Sequence, residues 1–290
     1  MPTASSHALW LLLPLVAHAA PSSHASGTHH THSKGVQETC SSFHREYVGA
    51  CRCSCVIVDV GLNNGDSLLN WAPEAVSYEV DSHEAKGIDA WPERRERLRQ
   101  CMQDNSTCYY GFEANPIFDE QLGALQTRLR SWGRPVKLFT STAFNVHDQP
   151  AEFLAEPKAK YGSRSGNVGS TLEKDKSMVF VDKSGVWRHN HNHTVKERYE
   201  KRIVKSSNAS AFLSQLAANT DFIALKLDIE GFEYTLLPYL LLHNPRALCA
   251  LQVMAIEWHE NMVPKYAGNT AHLLYFLKHS FCNMSILNWH

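Results

Sequence analysis

Residues 55–67, CVIVDVGLNNGDS, constrain the fold most, because a short apolar run passes into a glycine-rich turn and then into LLNW. This pattern predicts a buried strand, a tight loop and a helix, as in α/β proteins. Gly61 and Gly65 let the backbone approach a ligand closely. Asp66 or Ser67 can cap the helix, whose N-terminal amides face the same place. A nucleotide-like ligand would fit there.

The spacing of the glycines distinguishes between ligands. No Gly-Lys-Ser or Gly-Lys-Thr follows, and the glycines lie four residues apart instead of in the dinucleotide pattern. The turn therefore fits S-adenosylmethionine better than ATP or NAD. By itself the turn is weak evidence, since any α/β protein needs a glycine where a strand turns sharply into a helix.

Two further segments read as strands that end in acidic residues. Residues 109–116, YYGFEANP, contain Glu113, whose carboxylate can accept both hydroxyl protons of a ribose. Residues 221–233, DFIALKLDIEGFE, close in three acidic residues around Gly231. Acidic groups at the carboxyl ends of parallel strands lie where open α/β sheets bind ligands, so these segments favour a binding site over a purely structural turn.

Three motifs occur in order: VDVGLNNGD at 58–66, FEANP at 112–116 and LKLDIEGFE at 225–233. Together they resemble the FkbM-type S-adenosylmethionine-dependent methyltransferases, and the third motif is the most specific. The resemblance covers residues 55–260 with insertions and extends through Glu257. It implies an α/β fold with a three-layer, doubly wound, Rossmann-like methyltransferase sheet, usually of seven strands, and usually O-methylation.

The resemblance also implies roles at the cofactor. The residues expected to line its methionine end are Asp59, Gly61, Asn63 and Gly65. Glu113 is expected to hold the ribose, with Asn115 beside it. Thr142 and Ala143, after the apolar stretch 136–139, match the place where the family's third strand ends near the adenine.

Methyl transfer from a sulfonium is an in-line displacement, so the protein mainly positions the acceptor oxygen and removes its proton. By position, Asp228 is the first choice for that base or for holding the hydroxyl, and His259 is the alternative because imidazole titrates near neutral pH. Glu230 and Glu257 are expected to face the acceptor. Glu230 and Glu233 could instead complement the first turn of the next helix, which is the interpretation we favour for Glu233.

The N-terminal part of the chain predicts export. A short apolar run at 8–17 and the small-x-small pattern AHA at 17–19 predict a signal peptide over 1–19. Basic residues do not precede the run, so a retained membrane anchor is the alternative. Residues 20–39 are rich in Ser and His and predict a disordered linker, which leaves 40–290 as the methyltransferase domain.

Sequons and cysteines indicate the same compartment, the secretory pathway or the cell exterior. Four N-glycosylation sequons begin at Asn105, Asn192, Asn208 and Asn283. The eight cysteines are an even set suited to an oxidising lumen. We expect a local bridge between Cys101 and Cys108 and a long-range bridge between Cys249 and Cys282. The run CRCSC at 51–55 lacks the spacing of zinc ligands, so it favours disulfides.

The composition and the polar stretches of the chain argue against nucleic-acid binding and against a histidine-based metal site. A net charge of −1 disfavours nucleic acid as a partner. The histidine-rich stretches at 24–32 and 189–193 are polar and typical of solvated chain, so no metal is assigned. Residues 84–103 predict a solvated, charged helix. Within the polar insertion 158–205, residues 163–171 either border the active site or form a mobile surface loop.

Periodicity and apolar runs predict the remaining elements. Helices are expected at 119–132, 234–243 and 271–279. Strands are expected at 248–257 and 282–287, with two extra edge strands at 179–182 and 202–205. Little room remains after 282–287 for a seventh strand, so we expect the C-terminal edge of the sheet to be truncated.

These observations predict an S-adenosylmethionine-dependent methyltransferase that modifies a hydroxyl of a carbohydrate or small metabolite. Carbohydrate is inferred from the compartment alone. The expected partner is this small-molecule or glycan acceptor, with no stable membrane insertion unless the N-terminal segment is retained. The alternative is a secreted, non-catalytic binding protein on a methyltransferase scaffold, because cofactor supply outside the cytosol requires transport.

Overall fold

A computed structural model describes residues 41–70, 91–155, 170–174, 176–181, 187–194, 199–279 and 282–288. The helices are α1 Ser42–Val48, α2 Asp66–Asn70, α3 Trp91–Gln103, α4 Asp119–Ser131, α5 Ala209–Asn219, α6 Glu233–His243, α7 Pro245–Cys249 and α8 Asn269–His279. The strands are β1 Val56–Val60, β2 Cys108–Phe112, β3 Val136–Phe139, β4 Thr142–Asn145, β5 Ala151–Ala155, β6 Ser177–Val181, β7 Trp187–Thr194, β8 Glu200–Asn208, β9 Ile223–Leu227, β10 Val253–Ile256 and β11 Ser285–Asn288.

The central sheet of the described residues has six parallel strands in the order β11-β10-β9-β1-β2-β3. The apolar run that predicted the first strand is β1, and all five of its side chains are buried. From β1 the chain builds outward to β2 and β3 on one side, and later to β9, β10 and β11 on the other. The carboxyl ends of β1 and β9 therefore flank the topological switch point, where such sheets bind ligands.

Helices cover both faces of this sheet. One apolar cluster packs α5, α6, α7 and α8 against one face, and a second packs α3 and α4 against the other. The predicted α/β fold with a three-layer, Rossmann-like methyltransferase sheet is confirmed. In the described residues the sheet ends at β11, which pairs in parallel with β10.

The extra strands form sheets of their own. Edge strands were predicted at 179–182 and 202–205; residues 179–181 fall in β6, residue 182 lies outside the described residues, and 202–205 fall in β8. β8 pairs with β4 on one side and β5 on the other, while β6 pairs with β7. The prediction of strands is correct, but β8 is not an edge strand, because it has a hydrogen-bonded neighbour on each side.

One predicted helix is confirmed by the structure, and one predicted strand begins later than predicted. The predicted helix 119–132 is confirmed as α4, whose inner face buries Leu122, Leu125 and Leu129. The predicted strand 248–257 begins too early. Pro245 at the start of α7 and the Asn244 side chain, which accepts from the amide of Ala247 at 3.3 Å, start a short helix first.

The disulfides join the amino-terminal ends of the strands. Cys249 is bonded to Cys282, as expected. The expected bridge between Cys101 and Cys108 is wrong, because these side chains lie in apolar clusters on opposite faces of the sheet. Cys108 pairs with Cys53 and Cys101 pairs with Cys55, because each of these pairs lies within one of the two clusters. Such bridges are typical of secreted and lumenal proteins.

Candidate active site

A cleft opens at the carboxyl ends of β1, β2 and β9. The residues of the sequence prediction that line it are Gly61, Asn63, Glu113, Asn115, Thr142, Ala143, Asp228 and Glu230. The predicted residues that do not line it are Asp59, Gly65, Glu257 and His259.

Gly61 sets the distance between the two central strands. Its φ is +85°, and a Cβ placed there would lie 1.7 Å from the carbonyl oxygen of Asp228. No side chain can occupy that space, so a residue without Cβ lets the ends of β1 and β9 meet. The close approach brings Asp228 to the wall of the cleft.

Gly65 acts behind the loop, away from the cleft. Its φ is +89°, and an added Cβ would lie 2.4 Å from Leu125 Cδ2 on α4. The second glycine of the motif therefore allows the loop to pack on α4, whereas the prediction placed it beside the cofactor.

Glu113 ties the first loop to the second strand. One carboxylate oxygen accepts from the amide of Asn63 at 2.6 Å, and the other accepts from the amide of Asn115 at 2.7 Å. Burial raises the pKa of Glu113 to about 7, although these two amides oppose the rise. Each oxygen has a second acceptor position, so the ionised carboxylate can also take hydroxyl protons of a ligand.

The wall beyond Glu113 matches the predicted adenine region. Thr142 and Ala143 follow β3, and the amide of Thr142 donates to the carbonyl of Glu113 at 2.8 Å. Asn115 caps the amide of Ile117 at 3.3 Å. Apolar side chains that the sequence reasoning did not single out complete this wall: Phe118, Phe144, Phe153 and Leu172. An acidic group beside an apolar wall suits a nucleoside, so the residues fit the predicted cofactor.

A buried lysine lies beneath the cleft. Lys226 Nζ is 3.0 Å from Asp228 Oδ2 and 3.5 Å from Asp59 Oδ1. Burial opposes its positive charge, but the two carboxylates more than compensate and raise the pKa of Lys226. Sequence reasoning missed this residue, although a lysine inside an otherwise apolar strand must find a charged partner.

Asp59 belongs to the same buried network. It accepts from Ser67 Oγ at 2.7 Å, and burial raises its pKa while Lys226 opposes the rise. Asp59 therefore supports Lys226 and the first turn of α2 from below.

His259 lies among carboxylates beside the cleft. Its Nδ1 is 3.1 Å from Glu233 Oε1, and only 3% of the side chain is exposed. Its Nε2 faces three carboxylates, with distances of 3.8 Å to Asp228, 3.7 Å to Glu230 and 3.6 Å to Glu257. Burial by itself would lower the pKa of His259, but the neighbouring carboxylates outweigh burial and raise this pKa to about 9. An imidazole with this pKa is protonated at neutral pH, which favours Asp228 as the proton acceptor.

Glu233 fixes the turn before α6. Its two oxygens accept from the amides of Ile229 at 2.7 Å and Gly231 at 2.8 Å, and the side chain is fully buried. This geometry agrees with the helix-start role favoured for it. Glu257 is 37% exposed, and burial together with the charge of Asp228 raises its pKa to about 7.

Two residues of the insertion 158–205 hold Glu230 in place. Its φ is +58°, its carboxylate pairs with the buried Lys176, and its carbonyl accepts from Thr171 Oγ1 at 2.8 Å. Lys176 is a second lysine that the sequence reasoning missed. Ser170, in the predicted segment 163–171, and the next residue but one, Leu172, line the cleft.

Several predictions fall on other parts of the chain. Residues 163–169, the histidines at 24–32 and the predicted signal peptide and linker lie outside the described residues. The histidines at 189–193 belong to β7. None of the described helices has the length and apolar character of a membrane span.

Comparison with known proteins agrees with the geometry. The chain matches the family model described as Methyltransferase FkbM domain over residues 59–283. Comparisons with curated proteins and with solved structures gave no significant match. The matched region runs from Asp59 in β1 past β10, so it contains every residue that lines the cleft. The chain belongs to the FkbM methyltransferase family.

Proposed function

We propose that this protein transfers the methyl group of S-adenosylmethionine to a hydroxyl of a carbohydrate or small metabolite in the secretory pathway. The observation that carries the proposal is the cleft, which gathers Gly61, Glu113 and Asp228 at the ends of three adjacent strands. This cleft lies within the FkbM methyltransferase domain.

The three parts of the cofactor, methionine, ribose and adenine, are assigned to successive parts of the cleft. We place the methionine end beside Gly61 and Asn63, which line the cleft. Glu113 accepts the ribose hydroxyls through the acceptor positions that the two amides leave open. Thr142 and Ala143, with the apolar wall described above, enclose the adenine.

Methyl transfer needs an oxygen in line with the sulfur–carbon bond. The acceptor oxygen attacks the methyl carbon, the new O–C bond forms as the S–C bond breaks, and the electron pair of that bond returns to sulfur. The hydroxyl proton passes to Asp228. One oxygen of Asp228 accepts from Lys226 at 3.0 Å, the other lies 3.8 Å from His259 Nε2, and the side chain lines the cleft and is 22% exposed, so an acceptor in the cleft can reach the carboxylate.

The secretory pathway is proposed as the compartment because the chain contains disulfide bonds. Three disulfides tie the described strands and helices, and such bridges persist in oxidising compartments. Carbohydrate acceptors are proposed because glycans are abundant substrates along that route.

The proposal is tested with methyl-labelled S-adenosylmethionine and a panel of glycans and hydroxylated metabolites. Asp228→Asn should keep cofactor affinity within about threefold and lower turnover by about 100-fold or more, the usual contribution of a positioned base. Asp221→Asn, an exposed carboxylate just before the same strand, is the matched control and should behave as wild type. Unchanged turnover in Asp228→Asn would remove this residue from the mechanism. Cofactor binding without transfer to any acceptor would favour the non-catalytic binding protein.

A further inference from the structure

Beside the cleft, three side chains bring possible metal ligands to one point. One ligand atom each from Asp228, Glu257 and His259 lies within 4.8 Å of the others. Ligands of one divalent cation at 2.0–2.3 Å lie about 3 to 4.5 Å apart, so this spacing can accommodate a single ion. The three residues come from the ends of β9 and β10, which are rigid and adjacent in the sheet.

The orientation of His259 is the independent observation. Its Nδ1 donates to the fully buried Glu233, which itself is held by the amides of Ile229 and Gly231. A histidine that binds a metal through one nitrogen usually donates from the other to a carboxylate in this way. The ring is therefore locked with Nε2 directed at the cluster.

The distances from Nε2 distinguish a ligand from a simple ion-pair partner. Nε2 is 3.6–3.8 Å from oxygens of Asp228, Glu230 and Glu257, and no described residue accepts a hydrogen bond from it. A charged imidazole that served only as counterion would be expected to bond one carboxylate at about 2.7–2.9 Å. Instead Nε2 is nearly equidistant from three carboxylate oxygens, and a cation bound among them would take the place of the Nε2 proton.

Charge favours the same interpretation. Within the described residues, this cluster and the network beneath it contain five carboxylates and three basic side chains: Asp59, Asp228, Glu230, Glu233 and Glu257, with Lys176, Lys226 and His259. Lys226 binds one oxygen of Asp228 and Lys176 binds Glu230, whereas Glu257 lies 3.6 Å from His259. Partly buried carboxylates that outnumber the basic side chains around them are costly, and a divalent cation lowers that cost.

We propose that Asp228, Glu257 and His259 bind one divalent cation of the Mn²⁺ type, with Glu230 as a further oxygen ligand. Carboxylates suit Mg²⁺, Ca²⁺ and Mn²⁺, and an imidazole among them favours Mn²⁺ over the two harder ions. The exposed parts of Asp228 and Glu257 leave coordination positions open toward the cleft.

The position of the cation gives it a role in methyl transfer. Asp228 is both a ligand and part of the cleft wall, so the open side of the ion faces the acceptor. A cation that binds the acceptor oxygen lowers the pKa of its hydroxyl, and the proton leaves to water or a carboxylate before the O–C bond forms. This role rests on the proposed function, whereas the cation site itself does not.

The test uses the purified chain, treated with chelator and dialysed, without S-adenosylmethionine or acceptor. Mn²⁺ is titrated and the free ion is followed by its electron paramagnetic resonance signal. We expect one Mn²⁺ per chain with a Kd in the micromolar range. His259→Ala and Glu257→Gln should each weaken binding at least tenfold, as loss of a ligand does. Glu120→Gln, an exposed carboxylate on α4, is the control and should stay within twofold.

Folding of each variant is checked by its melting temperature. Because Glu257 is more than one-third exposed, its Gln variant is expected to fold even if His259→Ala does not. Absence of Mn²⁺ binding to the folded wild-type chain at millimolar concentration would overturn the proposal. Binding that is equally strong in Glu257→Gln would also overturn it. Neither result depends on activity, so failure here is separable from failure of the proposed methyl transfer.

Discussion

At the scale of single residues, Gly61 has the most exacting environment in the cleft. We predict that Gly61→Ala destabilises the protein by more than Gly133→Ala does. Both glycines have positive φ, +85° and +77°, but a Cβ at Gly133 meets no atom within 4 Å. The left-handed backbone costs roughly 1–2 kcal/mol at either site, and the collision with the Asp228 carbonyl adds about 1–3 kcal/mol at Gly61 alone. Urea unfolding measures the difference, and equal losses would contradict the account of this turn.

The raised pKa of Glu113 should make the free energy of unfolding depend on pH. Its pKa in the folded protein is about 7, above the ordinary value of 4.5, so the folded state holds this proton more tightly than the unfolded state. Its contribution is therefore fully present below pH 4.5 and is lost as the pH rises to about 7. At about 1.4 kcal/mol per pKa unit, the loss is up to about 3.5 kcal/mol.

Glu113→Gln removes this titration and is the matched comparison. We expect the free energy of unfolding of wild type to fall relative to that of Glu113→Gln between pH 4.5 and 7. Chemical denaturation at several pH values measures both curves. Parallel curves would show that Glu113 is not the buried, proton-holding group described here.

Residues within a contiguous motif could be predicted, and those brought in from elsewhere could not. Gly61 and Glu113 stand next to strand ends that the sequence pattern identifies directly. Lys176 comes from the insertion, where polar composition hides which side chains turn inward, and Phe153 comes from β5, whose position beside the cleft depends on its pairing with β8. Lys226 had a readable signal, a charge within an apolar strand, but the three acidic residues after it drew the interpretation away.

At the scale of elements, the disulfides are placed away from the cleft. Cys55 and Cys101 join the start of β1 to α3, whereas the cleft lies at the opposite ends of the strands. We predict that replacing both by Ala lowers the free energy of unfolding by about 2–4 kcal/mol, as expected for a bridge that closes a 46-residue span. Cofactor affinity should change by less than about threefold.

Denaturation and calorimetry of this double variant are compared with those of a variant that lacks the Cys249–Cys282 bridge. Stability should fall in both proteins, while cofactor affinity is retained in both. A large loss of cofactor affinity in well-folded Cys55→Ala/Cys101→Ala protein would show that the two ends of β1 are coupled.

Element types were easier to predict than their partners. The apolar period of α4 and the buried run of β1 are local signals, so both elements could be located from sequence. Strand pairing depends on residues far away in the sequence. The sequence predicts β8 as an edge strand, whereas in the structure it lies between β4 and β5. For the same reason Cys101 and Cys108, seven residues apart, lie on opposite faces of the sheet and cannot bond.

At the scale of the whole molecule, the sequons make the export route testable. Asn105 and Asn283 are exposed. The side chain of Asn208 instead caps α5, accepting from the Ala211 amide at 3.0 Å and donating to the Val146 carbonyl at 3.3 Å. A glycan on its nitrogen would replace one of the two N–H hydrogens beside the Val146 carbonyl, so the folded chain disfavours glycosylation here.

We therefore predict glycans on Asn105 and Asn283 and little or none on Asn208 when the full chain passes through the secretory pathway. Mass spectrometry of peptides after enzymatic deglycosylation measures occupancy at each site. Complete occupancy of Asn208, or unmodified Asn105 and Asn283 in exported protein, would contradict the assignment.

The central claim is that the cleft binds S-adenosylmethionine, and calorimetric titration of the folded chain with this cofactor tests it most directly. Wild type and the control Glu120→Ala should bind with micromolar Kd, or about 8 kcal/mol. Glu113→Ala should lose at least tenfold in affinity, because the ribose loses its acceptor. Well-folded wild-type protein that shows no binding would contradict the account, and affinity unchanged in Glu113→Ala would place the cofactor elsewhere.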